Sequence, residues 1–425
     1  SEGSRVSDSS TSAPGRPAVP TGSDTVARGL IGVTAAGWLG NIGSYLLLLA
    51  AARLLGSADY GELVTLFNLL LVGSVPSFAL QAVAARRMAT GQADGLWQAG
   101  LVIGLGAAAL IALSTPVLAG FLHLPAPVGV LLVALAMPGT ALQGLCQGVL
   151  QGEQRFTGLA VTTFAGIAGK SVAGLIGLFA GGGAVPTMLA IWLGVSLAAG
   201  LSVLALPELR RRRSQARTLR PLLAECGHAS HAYGVFLLLS VSDVLLARHV
   251  LPTTAAAVYA AGSILTKATL WLPQSAANVL FASLTDTERH HRVFGRAVAS
   301  IAALALVLTG LSRLLGGFAA AVVGGNRYPE LAGQIWLFAA LGGCLAIVQF
   351  TLVAGLAVRN VAVTALIWLT VAAETVTVLA VLNRPSVHTV IGLVCLINLV
   401  SAGCAVALRL LPAQRATRYP ATDRG

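Results

Sequence analysis

Four ionisable side chains stand inside long apolar stretches of the sequence. Lys170 and Lys267 lie near the middle of two stretches, and Asp243 and Glu374 lie in two others. Charged groups are costly inside a bilayer, so these four residues are candidates for function. One interpretation is that the lysines face a hydrated cavity and attract an anionic substrate, most simply a diphosphate, while the acids serve ion coupling. The alternative is that each lysine is neutralised by a buried acid as its counter-charge and only fixes helix packing.

Polar amides inside the apolar stretches form a second group of candidates. Gln143 and Gln147 stand about one helical turn apart and therefore share a helix face, which favours them as a pair of saccharide contacts. Asn41 is a further candidate of this kind. Amides also serve as packing contacts between membrane helices, and that alternative stays open for each of them.

Three prolines interrupt backbone hydrogen bonding within apolar stretches: Pro76 and Pro138 in the first half of the chain and Pro273 in the second. A proline inside a helix removes a backbone donor and bends the helix. Pro76 and Pro273 form a matched pair, which is a candidate for hinges at which one half of the molecule rocks against the other. A static kink is the alternative.

Motifs of catalytic chemistry are missing from the sequence. It has no nucleophile elbow, Walker loop or HExxH motif, and its five cysteines form no CxxC or Cys/His pattern at metal-ligand spacing. We therefore predict a transporter that is not an enzyme and that needs no cofactor or metal. A membrane-embedded glycan polymerase or ligase is disfavoured, because the predicted outer loops are too short to hold an active site.

The elements that position these residues follow from composition. Of the 425 residues, 56% are hydrophobic and 10% are charged, which a water-soluble fold could not bury. Apolar runs of about twenty residues recur, each long enough to cross a hydrocarbon layer of roughly 30 Å. The pattern predicts an all-α membrane protein with about twelve transmembrane helices. These helices are placed near 30–52, 62–84, 97–119, 127–149, 156–179, 184–206, 229–247, 254–282, 296–315, 331–356, 361–382 and 387–408.

Arginine positions predict how the helices are oriented. With the N-terminus inside, the outer loops receive only Arg53, Arg248, Arg327 and Arg384, and the remaining loop arginines collect on the inner side. This split follows the positive-inside rule, so both termini are expected in the cytoplasm. The net charge of +12 does not indicate a nucleic-acid partner, because the basic residues stand at helix ends without interleaved aromatics.

The domain organisation is a predicted duplication. We expect a disordered tail at 1–25, a six-helix bundle at 26–206, a basic cytoplasmic linker at 207–228, a second bundle at 229–408 and a tail at 409–425. A shift of 204 places Pro125 on Pro329, Gly139 on Gly343 and Arg155 on Arg359. The same shift carries Lys170 onto Glu374. Two halves of six helices each would be related by an axis along the membrane normal, and the bundles would be pseudo-symmetric.

Three segments carry a resemblance to a known group. They are AARLLGSADYGELVTLFNLL at 51–70, SVPSFALQAVAARRMA at 74–89 and SDVLLARHVLPTTAAAVYAAGSILTKATLWLPQSAANVLF at 242–281. The chain resembles the polysaccharide exporters, or lipid-linked oligosaccharide flippases, of the multidrug/oligosaccharidyl-lipid/polysaccharide superfamily. The resemblance implies two six-helix bundles forming a V around a cationic cavity. It also implies alternating access that moves an undecaprenyl-diphosphate-linked oligosaccharide from the inner to the outer leaflet.

The resemblance further assigns residues and partners. By position, Arg53, Arg248 and Lys267 are the candidates for the cationic lining, and Lys170 joins them from the argument on charge. The implied setting is a bacterial inner membrane, with membrane lipids, a proton or sodium ion, a glycan polymerase and glycosyltransferases as partners. The first helix has no basic residue in its middle, which disfavours the lipid II flippases as the subfamily.

Two rival transporter classes stay open at this point. One is an ion-coupled multidrug exporter of the same fold, which would use acidic cavity residues for cationic drugs. The other is a major facilitator transporter, which would be expected to show a Gly…Asp-Arg loop between helices 2 and 3, and the sequence AARRMATGQADG lacks that order.

Overall fold

The computed structural model describes residues 23–211, 219–281, 290–356, 362–381 and 385–410. Within these ranges the chain is helical and contains no β-strand. Most of the tails predicted at 1–25 and 409–425 lies outside the described residues, as do Arg359 and Arg384, while residues 23–25 and 409–410 belong to the first and last helices.

Sixteen α-helices follow one another in the described ranges. They are α1 (Ser23–Leu54), α2 (Ser57–Gly73), α3 (Val75–Ala89), α4 (Leu96–Leu113), α5 (Thr115–Phe121), α6 (Val128–Gly152), α7 (Phe156–Phe179), α8 (Ala184–Leu204), α9 (Pro207–Arg211), α10 (Leu219–Val250), α11 (Thr253–Phe281), α12 (His290–Leu314), α13 (Gly316–Gly324), α14 (Ile335–Leu356), α15 (Ala362–Val381) and α16 (Val387–Leu410).

Eleven segments of the described chain are long and apolar enough to cross a membrane. A further helix, α11, stands where the eighth span is predicted and is 29 residues long. Large apolar side chains cover the outward faces of the helices, where lipid tails would surround them. The most exposed include Leu110, Leu113, Val117, Phe179, Leu204, Leu306, Leu314 and Phe318. The predicted class, an all-α membrane protein with many spans, is confirmed.

The helices form two bundles, and one helix lies at the centre of each. In the first bundle, α6 packs against α3, α4 and α8, while α7 packs between α1 and α8. In the second bundle, α14 packs against α11, α12 and α16, while α10 and α16 flank α15. The helices α6 and α14 are the pair that the shift of 204 superimposes, so the two halves repeat the same arrangement.

Two predicted spans, 62–84 and 97–119, are each broken into two helices. The breaks fall at Ser74 and Ser114. Pro76 and Pro116 follow these breaks by two residues, at a helical first turn where the missing N–H costs nothing. In the second half, the predicted span 296–315 is followed directly by the short helix α13, as α5 follows α4 in the first half.

The helix α10 begins at Leu219, whereas the apolar pattern places this span at 229–247. Its early turns are stabilised by packing on the first bundle: Leu222 and Cys226 are buried in a cluster with Leu206 and Leu209. Glu225, in the same turns, accepts hydrogen bonds from Arg87, at 2.9 and 3.1 Å. Part of the predicted linker is therefore helical, because tertiary contacts stabilise a segment that is too polar to be recognised as a span.

Candidate functional site

A cavity of about 530 Å³ lies against the first bundle, within the usual size range of small-molecule sites. Its described lining comes from α1, α2, α3, α6, α7 and α8. Gln151 and Phe156, near the predicted cytoplasmic ends of α6 and α7, line one end of the cavity, which we call its mouth, and Lys170 lines the other end. Lys170 stands 14 residues after Phe156 along α7, a rise of about 21 Å. The cavity therefore extends from the predicted cytoplasmic end to beyond the middle of the bundle.

Lys170 is the one charged residue among the described residues that line this cavity. Its Nζ atom lies 4.9 Å from the centre of the Phe67 ring, over the ring face, which is a cation–π arrangement. No described acidic group forms an ion pair with Lys170 within 4 Å. The described surroundings of this lysine therefore differ from those of a neutralised structural charge.

The helix α6 carries a repeat of the dipeptide Gln-Gly at Gln143-Gly144, Gln147-Gly148 and Gln151-Gly152. A spacing of four residues places the glutamines on one face and the glycines on a neighbouring face. A Cβ atom at any of the three glycines would collide with α3, at the backbone oxygens of Ser77, Gln81 and Ala85 respectively. The glycines thus allow close packing of α6 on α3, and all three glutamines line the cavity.

The predicted pair Gln143 and Gln147 does line the cavity, but the two amides have different surroundings. The Nε2 atom of Gln143 donates to the carbonyl of Thr162 at 2.6 Å, and its Oε1 atom accepts from Ser202 at 3.0 Å. Gln143 therefore ties α6 to α7 and α8. Gln147 forms no hydrogen bond with the described part of the chain and faces the cavity. Asn41 is exposed on α1 and is not among the described lining residues.

Lys267, on α11, is not among the described lining residues of the cavity. Its Nζ atom donates to the Oδ1 atom of Asn68 on α2, so it links the two bundles near the middle of the molecule. Asp243 on α10 is the charged group that acts on it electrostatically. Asp243 itself is buried and accepts a hydrogen bond of 3.1 Å from the hydroxyl of Tyr259.

Glu374 is fully buried in the second bundle. Ser242 donates to its Oε2 atom at 2.5 Å, and Asn398 donates to its Oε1 atom. The side chain of Asn398 also donates to the carbonyl of Val394. Glu374 and Asp243 therefore belong to one polar cluster, in which α10, α15 and α16 each contribute hydrogen-bonding groups.

Arg53 and Arg248 lie at the predicted outer end and are not brought into the described cavity. Arg53 donates to the carbonyls of Ala321 and Val322 at the end of α13. Arg248 donates to the carbonyls of Leu122 and His123 after α5, at 3.2 and 3.3 Å. In each case an arginine of one bundle binds the terminal carbonyls of a short helix in the other bundle, which favours cations.

Other side chains at the predicted outer end add to these contacts. Arg327 donates to the carbonyl of Leu55, and the imidazole of His249 bonds to the carbonyl of Phe121 at 2.7 Å. Glu62, buried on α2, is the acidic group that acts on Arg248. The sequence patterns did not single out Glu62 or His249, because both stand in helix ends where charged residues are common. The bundles are therefore joined at the predicted outer end, in addition to the contact of α10 with α3 through Glu225 and Arg87 at the predicted cytoplasmic end.

The two predicted hinge prolines have different settings. Pro76 follows the break at Ser74, so it stands at the start of α3 and not within a continuous helix. The backbone of Pro273 lies within α11, and its side chain lies outside the described residues. The role of both as hinges stays a prediction.

Comparisons with known proteins show which family this chain belongs to. Residues 50–332 match the model of a family described as polysaccharide biosynthesis protein, and no curated protein sequence matches the chain. The chain belongs to this polysaccharide biosynthesis family, as the resemblance predicts.

Solved structures of membrane transporters share the fold. The lipid II flippase MurJ in an inward closed conformation superimposes with a TM-score of 0.69 at 10% identity, over 89% of this chain and 87% of that one. The MATE transporter VcmN of Vibrio cholerae, in a bent form, gives a TM-score of 0.57 at 16% identity, over 91% of this chain and 97% of that one. An outward-facing MATE family multidrug transporter of the MOP superfamily gives 0.59 at 13% identity, over 91% and 96%. The chain is a multi-pass membrane protein with the fold that these solved structures share.

Proposed function

We propose that this protein is a flippase that moves an undecaprenyl-diphosphate-linked oligosaccharide from the inner to the outer leaflet of a bacterial inner membrane. Membership of a polysaccharide biosynthesis family supports a glycan as cargo. The observation that carries the proposal is Lys170, a cation without a described acidic partner at the deep end of a cavity lined by amides and hydroxyls. Such a cation fits a diphosphate, and the amides fit the attached sugars.

The alternative is an ion-coupled multidrug exporter of the same fold. One of the structural neighbours above is described as a multidrug resistance transporter of the MATE family, and another as a MATE transporter. A cavity for cationic drugs would need negative charge in contact with the drug. The described lining of this cavity has a lysine and no carboxylate, while Asp243 and Glu374 are buried in the second bundle. The charge of the cavity therefore favours an anionic substrate.

Transport would proceed by alternating access between the two bundles. In the described state, the bundles are joined at the predicted outer end by hydrogen bonds from arginine side chains to backbone carbonyls. The donors are Arg53, Arg248 and Arg327. The orientation with both termini in the cytoplasm would make this state an inward-facing one, ready to load substrate from the inner leaflet. With the cell interior negative, outward movement of an anionic headgroup is favoured by about 2.3 kcal/mol per charge per 100 mV.

Ion coupling and partner proteins belong to the same proposal. The cluster of Asp243 and Glu374 supplies buried carboxylates that a proton or a sodium ion would occupy, and Lys267 connects this cluster to Asn68 of the first bundle. A lipid-linked glycan has to be assembled before export and joined to others after it. Glycosyltransferases on the inner side and a polymerase on the outer side would therefore act before and after this transporter.

To test the proposal, the full chain is reconstituted in liposomes. A labelled prenyl-diphosphate glycan is placed in the leaflet that corresponds to the inner leaflet of the cell membrane. Lys170→Met removes the cation at nearly constant length and should slow flipping roughly 10-fold to 100-fold, since hydrogen bonds to charged groups contribute that much. Lys170→Arg keeps the charge and serves as the matched control. Unchanged flipping by Lys170→Met would remove the assigned role of this lysine.

A second experiment distinguishes the flippase from the multidrug exporter. The same liposomes are loaded with a lipophilic cationic dye under a proton or sodium gradient. Dye export by the wild-type protein, together with no flipping of the lipid-linked glycan, would favour the multidrug exporter.

A further inference from the structure

The polar groups that we consider at the mouth of the cavity are the side-chain amides of glutamines. Gln81 on α3 and Gln151 on α6 both line it, and the Nε2 atom of Gln81 lies 3.4 Å from the Oε1 atom of Gln151. This contact uses one donor and one acceptor, and an amide group has two donors and two acceptor lone pairs. Gln147, one turn deeper, faces the same space. The mouth therefore offers several amide groups that can still donate and accept hydrogen bonds.

These amides match one class of ligand. A sugar hydroxyl donates one hydrogen bond and accepts two, so an amide can satisfy it in either sense, whereas a carboxylate accepts only and an ammonium group donates only. Charge is confined to Lys170 at the other end of the described lining. Beside the mouth, Arg155 and Glu153 pair with each other at 3.3 Å. A uronic acid or amino sugar at the mouth would therefore lose hydration without gaining an opposite charge from the described lining, which is unfavourable.

Aromatic rings lie among the same amides. Phe78 on α3 and Phe156 at the start of α7 line the cavity beside Gln81 and Gln151, and Phe78 is 40% exposed. A sugar ring has one face of C–H groups, and its contact with a phenyl ring removes apolar area from water. The combination of a ring for the C–H face and amides for the hydroxyl edge fits a pyranose.

The spacing of the glutamines sets the length of this surface. Residues four apart on a helix rise by about 6 Å, so the row from Gln143 to Gln151 spans about 12 Å. The amide of Gln143 is hydrogen-bonded to Thr162 and Ser202. It therefore fixes the inner end of the row and is not counted as a sugar contact. The glycines of the Gln-Gly repeat hold α6 against α3 and thereby bring Gln81 beside Gln151.

We propose that Gln81, Gln147 and Gln151, with the rings of Phe78 and Phe156, form a subsite for uncharged sugar residues of the glycan. This inference rests on the proposed function, in which Lys170 holds the diphosphate. The diphosphate then lies deep in the cavity and the sugars extend toward the mouth. The protein selects its cargo by the charge of the sugars as well as by the presence of the diphosphate.

The test compares three substrates that share one short prenyl diphosphate. The first carries no sugar, the second carries a neutral trisaccharide, and the third carries the same trisaccharide with one uronic acid. The wild-type chain should flip the neutral trisaccharide several-fold faster than the acidic one. In the double variant Gln81→Met/Gln151→Met, the ratio of trisaccharide flipping to bare diphosphate flipping should fall about tenfold, from the loss of two hydrogen-bonding groups.

Controls keep the two proposals separate. Gln92→Met changes an exposed glutamine that is not among the described lining residues and should leave the ratio unchanged. Gln81→Asn/Gln151→Asn keeps the amides and should retain part of the preference. An unchanged ratio in the methionine variant, or equal flipping of the acidic and neutral glycans, would overturn the subsite while flipping itself persists. Failure of the wild-type protein to flip any of the three substrates would instead overturn the proposed function.

Discussion

Lys170 and Glu374 occupy equivalent positions in the sequence repeat, and their surroundings differ. Lys170 lines a cavity in the first bundle, with the ring of Phe67 beside it. Glu374 is fully enclosed in the second bundle, where Ser242 and Asn398 satisfy its oxygens. Both halves of the fold thus have an ionisable group at the equivalent position within the membrane. The two groups differ in the sign of their charge and in whether they line the cavity.

The difference separates two kinds of polar group in a membrane protein. A group in a cavity can be removed without leaving a buried partner unsatisfied, whereas a group in a closed cluster cannot. We therefore expect polar residues of the first bundle to affect transport more than stability. Polar residues in the closed cluster of the second bundle should affect stability as well.

The largest effect on stability is expected for Glu374→Ala. This change removes a buried side chain and the acceptor that Ser242 and Asn398 share, which leaves them only the carbonyls of Leu239 and Val394. It should lower the free energy of unfolding by about 3 kcal/mol. Unfolding in mixed micelles, followed by circular dichroism, measures the loss. Lys170→Met is the comparison and should cost less than about 1 kcal/mol, since no described acid depends on it. Equal losses for the two variants would contradict the distinction between the bundles.

Packing of the first bundle gives the next largest effect. A Cβ atom at Gly148 would collide with the backbone oxygen of Gln81, so Gly148→Ala should force α6 away from α3 and cost about 2 kcal/mol. Gly200→Ala, on α8, is the matched control because open space surrounds that position. There the change should be neutral or slightly stabilising through helix propensity. Similar unfolding curves for the two variants would argue against close packing through the Gln-Gly repeat.

Much of the fold follows from the sequence, because bilayer thickness sets the length of each span and arginines fall at the ends. The spans from 30–52 to 387–408 all correspond to helices. The break at Ser114 and the short helix α13 after Leu315 were missed, since a helix boundary inside apolar sequence leaves hydropathy unchanged. The early start of α10 was missed for the opposite reason: Leu222 and Cys226 are buried by neighbours that are distant in sequence.

The candidate site was less predictable than the fold. Helical spacing was enough to place Gln143 and Gln147 on one face, and both line the cavity. Spacing could not tell that Gln143 is held by Thr162 and Ser202, because those partners come from other helices. The Gln-Gly repeat was the signal for Gln151. The arginine pattern did place Arg53 and Arg248 at the outer end. It could not show that they bind helix termini of the opposite bundle and so do not line the described cavity.

A smaller effect is expected where the two bundles meet. Lys267 donates to Asn68 across the interface, and interhelical hydrogen bonds in membranes contribute about 1 kcal/mol. A double-mutant cycle of Asn68→Ala and Lys267→Met measures this coupling in the free energy of unfolding. Additive losses would contradict the link. The cycle also tests the comparison, because Lys267 should couple to stability while Lys170 does not.

The smallest effect is expected at Phe67, the neighbour of Asn68 on α2. Its ring lies under the ammonium group of Lys170, and a cation–π contact of a partly hydrated lysine contributes about 0.5 kcal/mol. Phe67→Leu keeps an apolar side chain and should lower the free energy of unfolding by this amount in addition to its packing loss. Phe67→Tyr keeps the ring and should not lose the cation–π contribution. Repeating both changes in the Lys170→Met background removes the cation, so the difference between leucine and tyrosine should shrink by the same amount. A difference that persists without the lysine would show that Phe67 acts through packing alone. Since α2 contacts Lys170 through Phe67 and Lys267 through Asn68, the two cycles together measure how strongly one helix joins the cavity to the polar cluster of the other bundle.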